Sequence, residues 1–342
     1  MPQNLREVAP HVLVAVPRVW EKLYSVITIQ IKEGTALGRL AYRAAIALGY
    51  KASAYELEGK PVPILLRAAR AIGDRLVLKN IRVVLGLDRI RWAITGAAPI
   101  SPDLIAWYWA MGVELYEVYG QTENTGLATS NHPGLLKIGT IGQAEAGTEL
   151  ALSPHGEILL RGPHIFKGYL NKPEKTAEAL KDGWLHTGDV GVIDNQGFVR
   201  ITDRMKDIII TAGGKNITPS EIENQLKFSP YISDAVVIGD KRNYLTCLIM
   251  IDHDNVVKFA QDKNVPFTNY ASLCRAPEVQ ELIGREVEAA NKKFARVETI
   301  KKFRLIDQLL TAEDEELTPT MKLKRSLVEQ KYGELIKDMY VA

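Results

Sequence analysis

Short apolar runs that end in small-residue loops set the strongest limit on how this chain can fold. Residues 90–94 form one such run and lead into the loop 95–99, which contains glycine, alanine and proline. A helix then begins at Ser101, because a serine side chain can cap a helix. A second apolar run, 113–119, leads into the polar loop 120–123. This order of strand, loop, helix, strand and loop predicts an α/β layer with a site at the strand ends.

The composition is that of an ordinary globular protein. The chain has 342 residues, 46% of them hydrophobic and 25% charged, and at about 150 residues per domain it holds a little over two domains. Its 43 Lys and Arg residues nearly balance 41 Asp and Glu residues. No nucleic-acid partner is expected, because such binding needs a concentrated basic face. The two cysteines, Cys247 and Cys274, form neither a disulfide framework nor a metal-type spacing, which favours the cytoplasm.

The sequence pattern does not favour secretion or a membrane span. No apolar run approaches the length of about 18–20 residues that crosses a bilayer. The early run 12–16 has five apolar residues, which is too short for a signal peptide and favours a buried strand. We therefore expect a cytoplasmic protein, and peripheral attachment at the inner face of the membrane stays open as an alternative.

The character of the sequence changes along the chain. Residues 18–79 have the pattern of basic amphipathic helices rich in alanine, leucine and arginine, whose simplest role is packing with a solvated face. Between 148 and 203 the apolar runs are short and separated by glycine-containing turns, which favours small β units. Beyond this point, strands are followed by long charged helices, so a domain boundary is predicted near 203–206. The expected fold class is mixed α/β.

Motifs of several well-known catalytic sites are missing from the sequence. The six histidines never pair at metal-ligand spacing, and no Gly-x-Ser-x-Gly elbow occurs. The segment 213–216 comes nearest to a phosphate-binding Gly-x-x-x-x-Gly-Lys-Ser/Thr loop, but it lacks the upstream glycine and the hydroxyl. Neither a histidine-bound metal centre nor a phosphate loop of this type is therefore expected.

Two polar loops that follow apolar runs are the strongest candidates for chemistry. In 119–123, an aromatic ring, a hydroxyl and a carboxylate fall within five residues. Gly120 lets the backbone approach a ligand, and Glu123 can hold Mg²⁺ through its oxygen atoms. In 185–189, Asp189 can accept two hydrogen bonds from a diol such as a ribose. Taken alone, the first loop also fits an ordinary turn.

Seven polar or glycine-containing segments follow one another over about 230 residues. They are 94–101, 119–123, 156–162, 184–189, 203–207, 213–217 and 317–325. Together they closely resemble the motifs of adenylate-forming acyl-CoA synthetases, a group that includes luciferases and peptide-synthetase adenylation domains. Such an ordered set is far more specific than any one loop. Residues 4–8 and 16–22, and the start of the last segment, are similar to the long-chain fatty acid branch.

The resemblance implies a two-step reaction with ATP, Mg²⁺ and coenzyme A. The carboxylate of a long-chain fatty acid attacks the α-phosphate of ATP to give an acyl-adenylate and pyrophosphate, and the sulfur of coenzyme A then displaces AMP. Residues 1–203, with their helical segment 18–79, would be the later part of a large AMP-binding domain. Residues 204–342 would be a small mobile α+β domain that rotates about a hinge near 203–207.

The resemblance also implies a role for each matching residue. Around the nucleotide, Gly96, Ala97 and Ala98 would line the adenine and acyl-carbonyl side, and Tyr119 would stack on adenine beside Gly120. Thr122 would contact the α-phosphate, and Glu123 would bind Mg²⁺. Asp189 and Arg204 would take the ribose hydroxyls. Gly213 and Gly214 would approach the pantetheine channel in the second step.

Lys322 matches the catalytic lysine of the family. A flexible point charge suits it to neutralise the attacking carboxylate and the phosphate as charge develops. Lys324 and Arg325 lie close by, so the assignment to Lys322 rests on its position in the motif. Lys206 matches the hinge position, about which Lys322 would leave the site between the two steps.

A Ser/Thr/Gly-rich phosphate loop, which precedes all these motifs in the family, is not found in the sequence. We therefore expect a truncated and impaired enzyme, from a split gene or an incomplete reading frame, with much of the acyl tunnel elsewhere. Two alternatives stay open. One is an adenylate-forming ligase for another carboxylic acid, and the other is a non-catalytic half that partners a separately encoded N-terminal half.

Overall fold

The computed structural model describes residues 2–310, 314–317 and 323–341, and the chain forms two compact units. The first unit comprises Met1–Leu23 and Gln30–Lys206, and the second comprises Tyr24–Ile29 and Asp207–Ala342. The division after Lys206 lies next to the predicted boundary, and rotation about a hinge there stays a prediction. The grouping of Tyr24–Ile29 with the second unit was not anticipated from the sequence.

Helices of the first unit follow the amphipathic pattern of the sequence. They include α1 (Pro2–Val8), α2 (Pro17–Glu33, of which Tyr24–Ile29 is grouped with the second unit), α3 (Ala36–Leu57), α4 (Ile64–Gly73), α5 (Lys79–Leu85), α6 (Pro102–Ala110) and α7 (Pro173–Ala179), with a π turn at Asp74–Leu78 between α4 and α5. Thr35 caps α3, since its hydroxyl accepts a hydrogen bond from the Gly38 amide at 3.1 Å. Ser101 precedes α6 as predicted, but its buried hydroxyl finds no partner among the described residues and makes no capping bond.

A five-stranded sheet of the first unit has the order β1-β2-β3-β4-β5. Its strands are β1 (Val12–Ala15), β2 (Trp92–Thr95), β3 (Leu115–Tyr119), β4 (Thr129–Ser130) and β5 (Gln143–Ala144). Because β1, β2 and β3 are parallel, their carboxyl ends meet at one edge, where the loops after Thr95 and Tyr119 are neighbours. The register sets Thr95 beside Glu117. The predicted mixed α/β class is confirmed.

A second sheet of the first unit is antiparallel, in the order β10-β9-β7-β6, with β8 paired to β9. Its strands are β6 (Glu149–Leu152), β7 (Glu157–Arg161), β8 (Leu180–Lys181), β9 (Trp184–Ile193) and β10 (Val199–Arg204). One apolar cluster joins Tyr119 to Ile158, Leu160 and Leu185 of this sheet. The cluster therefore brings the end of β3 to the segment of β9 that carries Asp189.

The second unit is built on a three-stranded sheet with an apolar cluster on each face. Its elements include β11 (Ile209–Ile210), β12 (Asn216–Ile217), α8 (Pro219–Lys227), β13 (Ile232–Ile238), β14 (Leu245–Ile251), α9 (His253–Asp262), α10 (Tyr270–Arg275), α11 (Pro277–Asn291), β15 (Ile300–Leu305), α12 (Arg325–Lys331) and α13 (Gly333–Tyr340). β14 pairs antiparallel with β13 and parallel with β15. Every residue of β13 and β14 is buried, as expected for strands covered on both faces.

Membrane spanning can be judged from the helices directly. Within the described parts of the chain, none of the helices combines the length and the apolar character that a bilayer crossing requires.

Candidate active site

Close backbone contacts fix the turn after β3. A Cβ atom on Gly120 would lie 2.2 Å from the carbonyl oxygen of Gly126, so only glycine fits at this position. The Gln121 amide then donates to Oδ1 of Asn124 at 2.9 Å, at the start of the 3₁₀ turn Thr122–Asn124. This short turn carries the two side chains predicted to meet the α-phosphate and Mg²⁺, directly after the strand end.

The carboxylate of Asp189 gathers three polar side chains. Its Oδ2 accepts hydrogen bonds from the Tyr119 hydroxyl at 2.7 Å and from Nε2 of Gln121 at 2.8 Å. Its Oδ1 lies 3.5 Å from Nε of Arg204, which is the cross-strand partner of Asp189 on β10. The side chain of Asp189 is 8% exposed and that of Arg204 is 72% exposed. Tyr119, Asp189 and Arg204, which were predicted from three separate segments of the sequence, thus lie together.

The backbone around Asp189 is itself held by hydrogen bonds. Thr187 Oγ1 accepts from the Asp189 amide at 3.1 Å and donates to a carbonyl of β7 at 2.7 Å. Glu157 accepts from the Gly188 amide at 3.0 Å and lies 2.8 Å from Nδ1 of His186. Asp189 is therefore a pre-positioned acceptor, and a ligand would meet it with little rearrangement.

The two oxygens of Asp189 differ in how fully they are used. Oδ2 receives two donors, whereas Oδ1 contacts only Arg204 among the described residues. Burial, followed by the adjacent Asp189 carboxylate, raises the pKa of Tyr119, so its hydroxyl stays a donor. Oδ1 keeps acceptor capacity and faces an exposed guanidinium, which is an arrangement that can bind a neutral diol.

Glu123 makes a specific contact with a residue that no local sequence signal had indicated. Oε1 of Glu123 accepts a hydrogen bond from the Tyr169 hydroxyl at 2.7 Å, and chiefly this bond raises the pKa of Tyr169 to about 12. The described residues contain no group of three or more His, Cys, Asp or Glu side chains that could hold a metal ion alone. Mg²⁺ commonly binds through one or two carboxylates plus substrate phosphates and water. The single carboxylate of Glu123 therefore fits a magnesium ion that arrives with a nucleotide.

The loop after β2 presses against the end of β3. A Cβ atom on Gly96 would lie 3.0 Å from the carbonyl oxygen of Val118, so the two segments approach closely. Ala97 has a φ of 66°, a left-handed conformation that costs a non-glycine residue about 1 kcal/mol or more. Gly96, Ala97 and Ala98 therefore lie beside the turn that follows Tyr119, because the parallel strands β2 and β3 end at the same edge of the sheet.

Two buried polar residues, Thr95 and Glu117, lie on the strands that lead into the loops after β2 and β3, and the sequence did not identify them as site residues. Thr95 and Glu117 are register partners on β2 and β3, so their side chains point to the same face of the sheet. Burial raises the pKa of Glu117 to about 8. The buried Oγ1 of Thr95 finds no partner within the described residues. A polar residue inside the apolar run 113–119 was the signal that could have found Glu117.

The predicted residues of the second unit lie on a hairpin and on a terminal segment. Gly213 and Gly214 form the turn between β11 and β12, closed by a 2.8 Å hydrogen bond from the Gly214 amide to the Thr211 carbonyl. Gly214 has a φ of 72°, and a Cβ atom there would meet nothing within 4 Å. The turn is therefore open to a close backbone approach. Lys206, at the end of the first unit, is exposed.

Lys322 lies outside the described residues, but the chain after it is anchored. The Leu323 amide donates to Oδ2 of Asp234 at 3.0 Å, and Nη2 of Arg325 donates to Oε1 of Glu223 at 2.5 Å. Both acceptors belong to the second unit, where Asp234 is buried and the side chain of Glu223 is 12% exposed. The structure thus fixes the C-terminal flank of the predicted catalytic lysine, and its role remains a prediction.

Two family descriptions match the chain. Residues 1–170 match the AMP-binding enzyme family, and residues 206–342 match the AMP-binding enzyme C-terminal domain. A Mycobacterium tuberculosis protein named fadD11 is 39% identical over 341 residues, which are 99% of this chain and 60% of that protein.

Two further relatives carry names that describe an activity. The long-chain-fatty-acid–CoA ligase FadD15 of Mycobacterium bovis is 38% identical over 97% of this chain and 55% of its own length. The long-chain-fatty-acid–CoA ligase ACSBG2 of Gallus gallus is 35% identical over 98% of this chain and 47% of its own length. The chain therefore spans about half to three fifths of the curated relatives it matches.

Solved structures agree on the fold. The adenylation domain of a carboxylate reductase from Mycobacterium chelonae matches with a TM-score of 0.73 at 20% identity, over 99% of this chain and 48% of that one. ATP-bound MatB from Rhodopseudomonas palustris matches with a TM-score of 0.52 at 26% identity, over 73% of this chain and 47% of that one.

Proposed function

The chain belongs to the AMP-binding enzyme family of adenylate-forming acyl-CoA synthetases, and from that premise we propose that it takes part in activating a long-chain fatty acid. The acid reacts with ATP to give an acyl-adenylate and pyrophosphate, and coenzyme A then takes the acyl group and releases AMP. The names of FadD15 and ACSBG2 support the long-chain acid. ATP and coenzyme A are the substrates of the family.

One observation carries the proposal for the nucleotide site. Asp189 is a buried carboxylate that three side chains hold in place, and its Oδ1 retains capacity to accept a hydrogen bond. In the proposal, this carboxylate accepts hydrogen bonds from the two hydroxyls of the ribose. The guanidinium of Arg204 lies 3.5 Å from Oδ1, so its positive charge is close to the carboxylate.

The phosphate end of the nucleotide would lie at the turn after β3. The Thr122 hydroxyl would donate to a non-bridging oxygen of the α-phosphate, and Glu123 would hold Mg²⁺, which supplies positive charge to the phosphates. Gly96, Ala97 and Ala98 would line the adenine and acyl-carbonyl side, beside Tyr119. Such fixed donors and charges stabilise the developing phosphate charge without reorganising during the reaction.

The second unit would serve both steps in turn. Lys322 would neutralise the attacking carboxylate during adenylate formation. Rotation at 203–207, with Lys206 as the pivot, would then withdraw Lys322 and present the Gly213 and Gly214 turn to the pantetheine of coenzyme A. We further propose that the protein works in the cytoplasm, with peripheral contact to a membrane that holds its apolar substrate.

Ligand binding by the 342-residue chain tests this proposal. AMP and a non-hydrolysable palmitoyl-adenylate mimic would be titrated calorimetrically into the chain and into Asp189→Asn. The variant should bind both ligands at least about tenfold more weakly, because it loses a charged acceptor. Asp182→Asn is the matched control, since Asp182 lies on an exposed turn with a φ of 52° that asparagine tolerates. A folded chain that binds neither ligand, or an Asp189→Asn variant of unchanged affinity, would overturn the proposed site.

A further inference from the structure

Strand β9 contains a bulge directly at the candidate site. Pairs of residues on β7 and β9 face each other on either side of the bulge, and between them Ile158 of β7 lies opposite the three residues 187–189 of β9. A bulge leaves backbone groups without ladder partners, and bulges are common next to active sites, where they redirect a side chain. Asp189 is the last residue of this bulge, so the position of its carboxylate depends on how the bulge is held.

Side chains satisfy the amides of the bulge in place of the neighbouring strand. The Gly188 amide donates to Oε1 of Glu157 at 3.0 Å, and the Asp189 amide donates to Oγ1 of Thr187 at 3.1 Å. The Thr187 hydroxyl donates in turn to the carbonyl of Ile158, opposite the bulge, at 2.7 Å. Glu157 is therefore the side chain that reaches across from β7 to hold the backbone of the bulge.

The backbone at Gly188 is one that an ordinary strand residue does not adopt. Its φ is 73°, whereas an antiparallel strand has a φ of about −140°. Glycine reaches both regions at little cost, so the residue itself does not choose between a bulged and an extended backbone. The hydrogen bond from the Gly188 amide to Glu157 favours the bulged form, and an extended form would move Asp189 along the strand.

His186 fixes the other end of the same carboxylate. Its Nδ1 lies 2.8 Å from Oε2 of Glu157, and because a carboxylate oxygen accepts hydrogen bonds, Nδ1 is the donor. The side chain of Glu157 is 12% exposed and that of His186 is 27% exposed. Both oxygens of Glu157 are thus engaged, one by the bulge and one by the imidazole, which restricts the carboxylate to one orientation.

The bulge contributes to the site more than to the sheet. A regular antiparallel ladder would pair the same backbone groups without help from side chains, so the bulge adds nothing to the pairing of β7 with β9. It does place Asp189 against the turn after β3, where Tyr119 and Gln121 donate to its carboxylate. Glu157 and His186 hold the backbone of an acceptor whose side chain is held by that turn.

We propose that Glu157 and His186 are positioning residues for nucleotide binding, which act through Gly188 to keep Asp189 where the ribose hydroxyls can reach it. Neither side chain touches the nucleotide in this proposal. The role rests on the proposed contact between Asp189 and the ribose. Loss of the pair should therefore weaken recognition of the ribose hydroxyls and leave the contacts of the base and the phosphate unchanged.

Calorimetric titration of two nucleotides into the full 342-residue chain tests this role. AMP carries both ribose hydroxyls, and 2′,3′-dideoxy-AMP carries neither. The wild type should bind AMP at least about tenfold more tightly, because the dideoxy nucleotide cannot donate to the charged acceptor. Glu157→Met keeps a linear side chain but removes both acceptor oxygens. In this variant the preference for AMP should fall to about threefold or less, with the affinity for the dideoxy nucleotide within about twofold of the wild type.

Two further variants and a control grade the effect. Glu157→Gln restores an acceptor for the Gly188 amide, so it should regain most of the preference for AMP. His186→Phe keeps a ring but no donor, so its preference should lie between those of Glu157→Met and the wild type. Glu149→Met is the matched control, since Glu149 lies on the adjacent strand β6 with 59% of its side chain exposed, and it should keep the wild-type preference.

The outcomes separate this role from the proposed function. A wild type that binds both nucleotides equally would contradict the ribose contact of Asp189, and the positioning role would fall with it. If Asp189→Asn loses the preference for AMP while Glu157→Met keeps it, the ribose contact stands and only the positioning role is wrong. Equal weakening of both nucleotides in Glu157→Met would assign the pair to stability alone. If circular dichroism shows Glu157→Met unfolded, His186→Phe decides, and a wild-type preference in that variant would overturn the role.

Discussion

The Tyr119 hydroxyl donates a 2.7 Å hydrogen bond to Oδ2 of Asp189, 70 residues further along the chain. The bond joins the end of a parallel strand to an antiparallel sheet, so it links the two sheets of the first unit at the candidate site. Gln121 donates to the same oxygen. The acceptor proposed for the ribose is therefore positioned by the same turn that carries the residues proposed for the phosphates.

Removal of the Tyr119 hydroxyl should weaken nucleotide binding. In Tyr119→Phe, the ring stays in its apolar cluster while Oδ2 of Asp189 loses one of two donors. A lost hydrogen bond to a buried charged group costs about 1–3 kcal/mol, so AMP affinity should fall about tenfold and stability by about 1 kcal/mol. Calorimetric titration and urea unfolding measure the two effects.

The control for that substitution is Tyr55→Phe, on the exposed surface of α3. It should change neither AMP affinity nor stability by a measurable amount. If Tyr119→Phe binds AMP as tightly as the wild type does, Asp189 does not depend on this donor, and the positioning argument is wrong.

Glu117 should make stability depend on pH. Burial raises its pKa from the usual 4.5 to about 8 in the folded state. Between these values the folded state holds a proton that the unfolded state has released, so stability falls as pH rises from about 4.5 to about 8. The substitution Glu117→Gln keeps the shape of the side chain but removes its ionisation. The free energy of unfolding of this variant, relative to that of the wild type, should therefore increase by a few kcal/mol as pH rises over that range.

Urea unfolding of the wild type and Glu117→Gln at several pH values between 5 and 8 measures this difference. Glu178→Gln, on the exposed surface of α7, is the control and should follow the wild type at every pH. A difference between Glu117→Gln and the wild type that stays constant across the range would show that Glu117 is ionised in the folded protein.

Local sequence patterns located most of the strands and loops, because these are set by neighbouring residues, but the expectation that β1 is buried was wrong, since Val12 and Val14 are exposed. The turn after β3 was located, and so was the segment that carries Asp189. Gln121 was not singled out, although it lies inside the predicted turn, because only the fold shows that its side chain reaches Asp189. Tyr169 contacts Glu123 from 46 residues away, and no local pattern encodes such a pairing. The grouping of Tyr24–Ile29 with the second unit also depends on tertiary contacts.

Glu123 should control the effect of Mg²⁺ on nucleotide binding. Glu123→Gln removes the carboxylate charge but keeps an acceptor for the Tyr169 hydroxyl. The increase in ATP affinity that Mg²⁺ produces in the wild type should disappear in this variant, while AMP affinity should stay unchanged. Titration of ATP with and without Mg²⁺ measures the effect.

Tyr169→Phe is the companion variant, since it leaves the Glu123 carboxylate in place without its hydrogen-bond donor. It should keep the Mg²⁺ effect. If Glu123→Gln keeps the full Mg²⁺ effect, the metal is held by other groups, and Glu123 serves only to fix the Tyr169 hydroxyl.

Arg325 and Glu223 form a largely buried ion pair, with 19% and 12% of their side chains exposed, that should stabilise the second unit. Nη2 of Arg325 lies 2.5 Å from Oε1 of Glu223, and Glu223 also accepts from the Val237 amide at 2.8 Å. Arg325→Met would leave a largely buried carboxylate without its cation, which costs up to about 3–5 kcal/mol. Arg325→Met/Glu223→Gln should recover part of the loss. Arg285→Met breaks an exposed pair with Glu281 and should cost less than about 1 kcal/mol in the same urea unfolding experiment.

Lys322 should act in only one of the two half-reactions. If it neutralises charge during attack on the α-phosphate, Lys322→Ala should lower pyrophosphate release about a hundredfold or more in a protein that joins this chain to an N-terminal half of the family. Thioester formation from a supplied acyl-adenylate and coenzyme A should be spared, because that step forms no new bond to phosphorus. Lys324→Ala is the control, since the Lys324 ammonium donates to the Glu315 carbonyl at 2.8 Å, and it should slow neither step more than a few-fold. Equal loss of both half-reactions in Lys322→Ala would assign this lysine to binding or folding, and a selective loss in Lys324→Ala would move the catalytic role to Lys324.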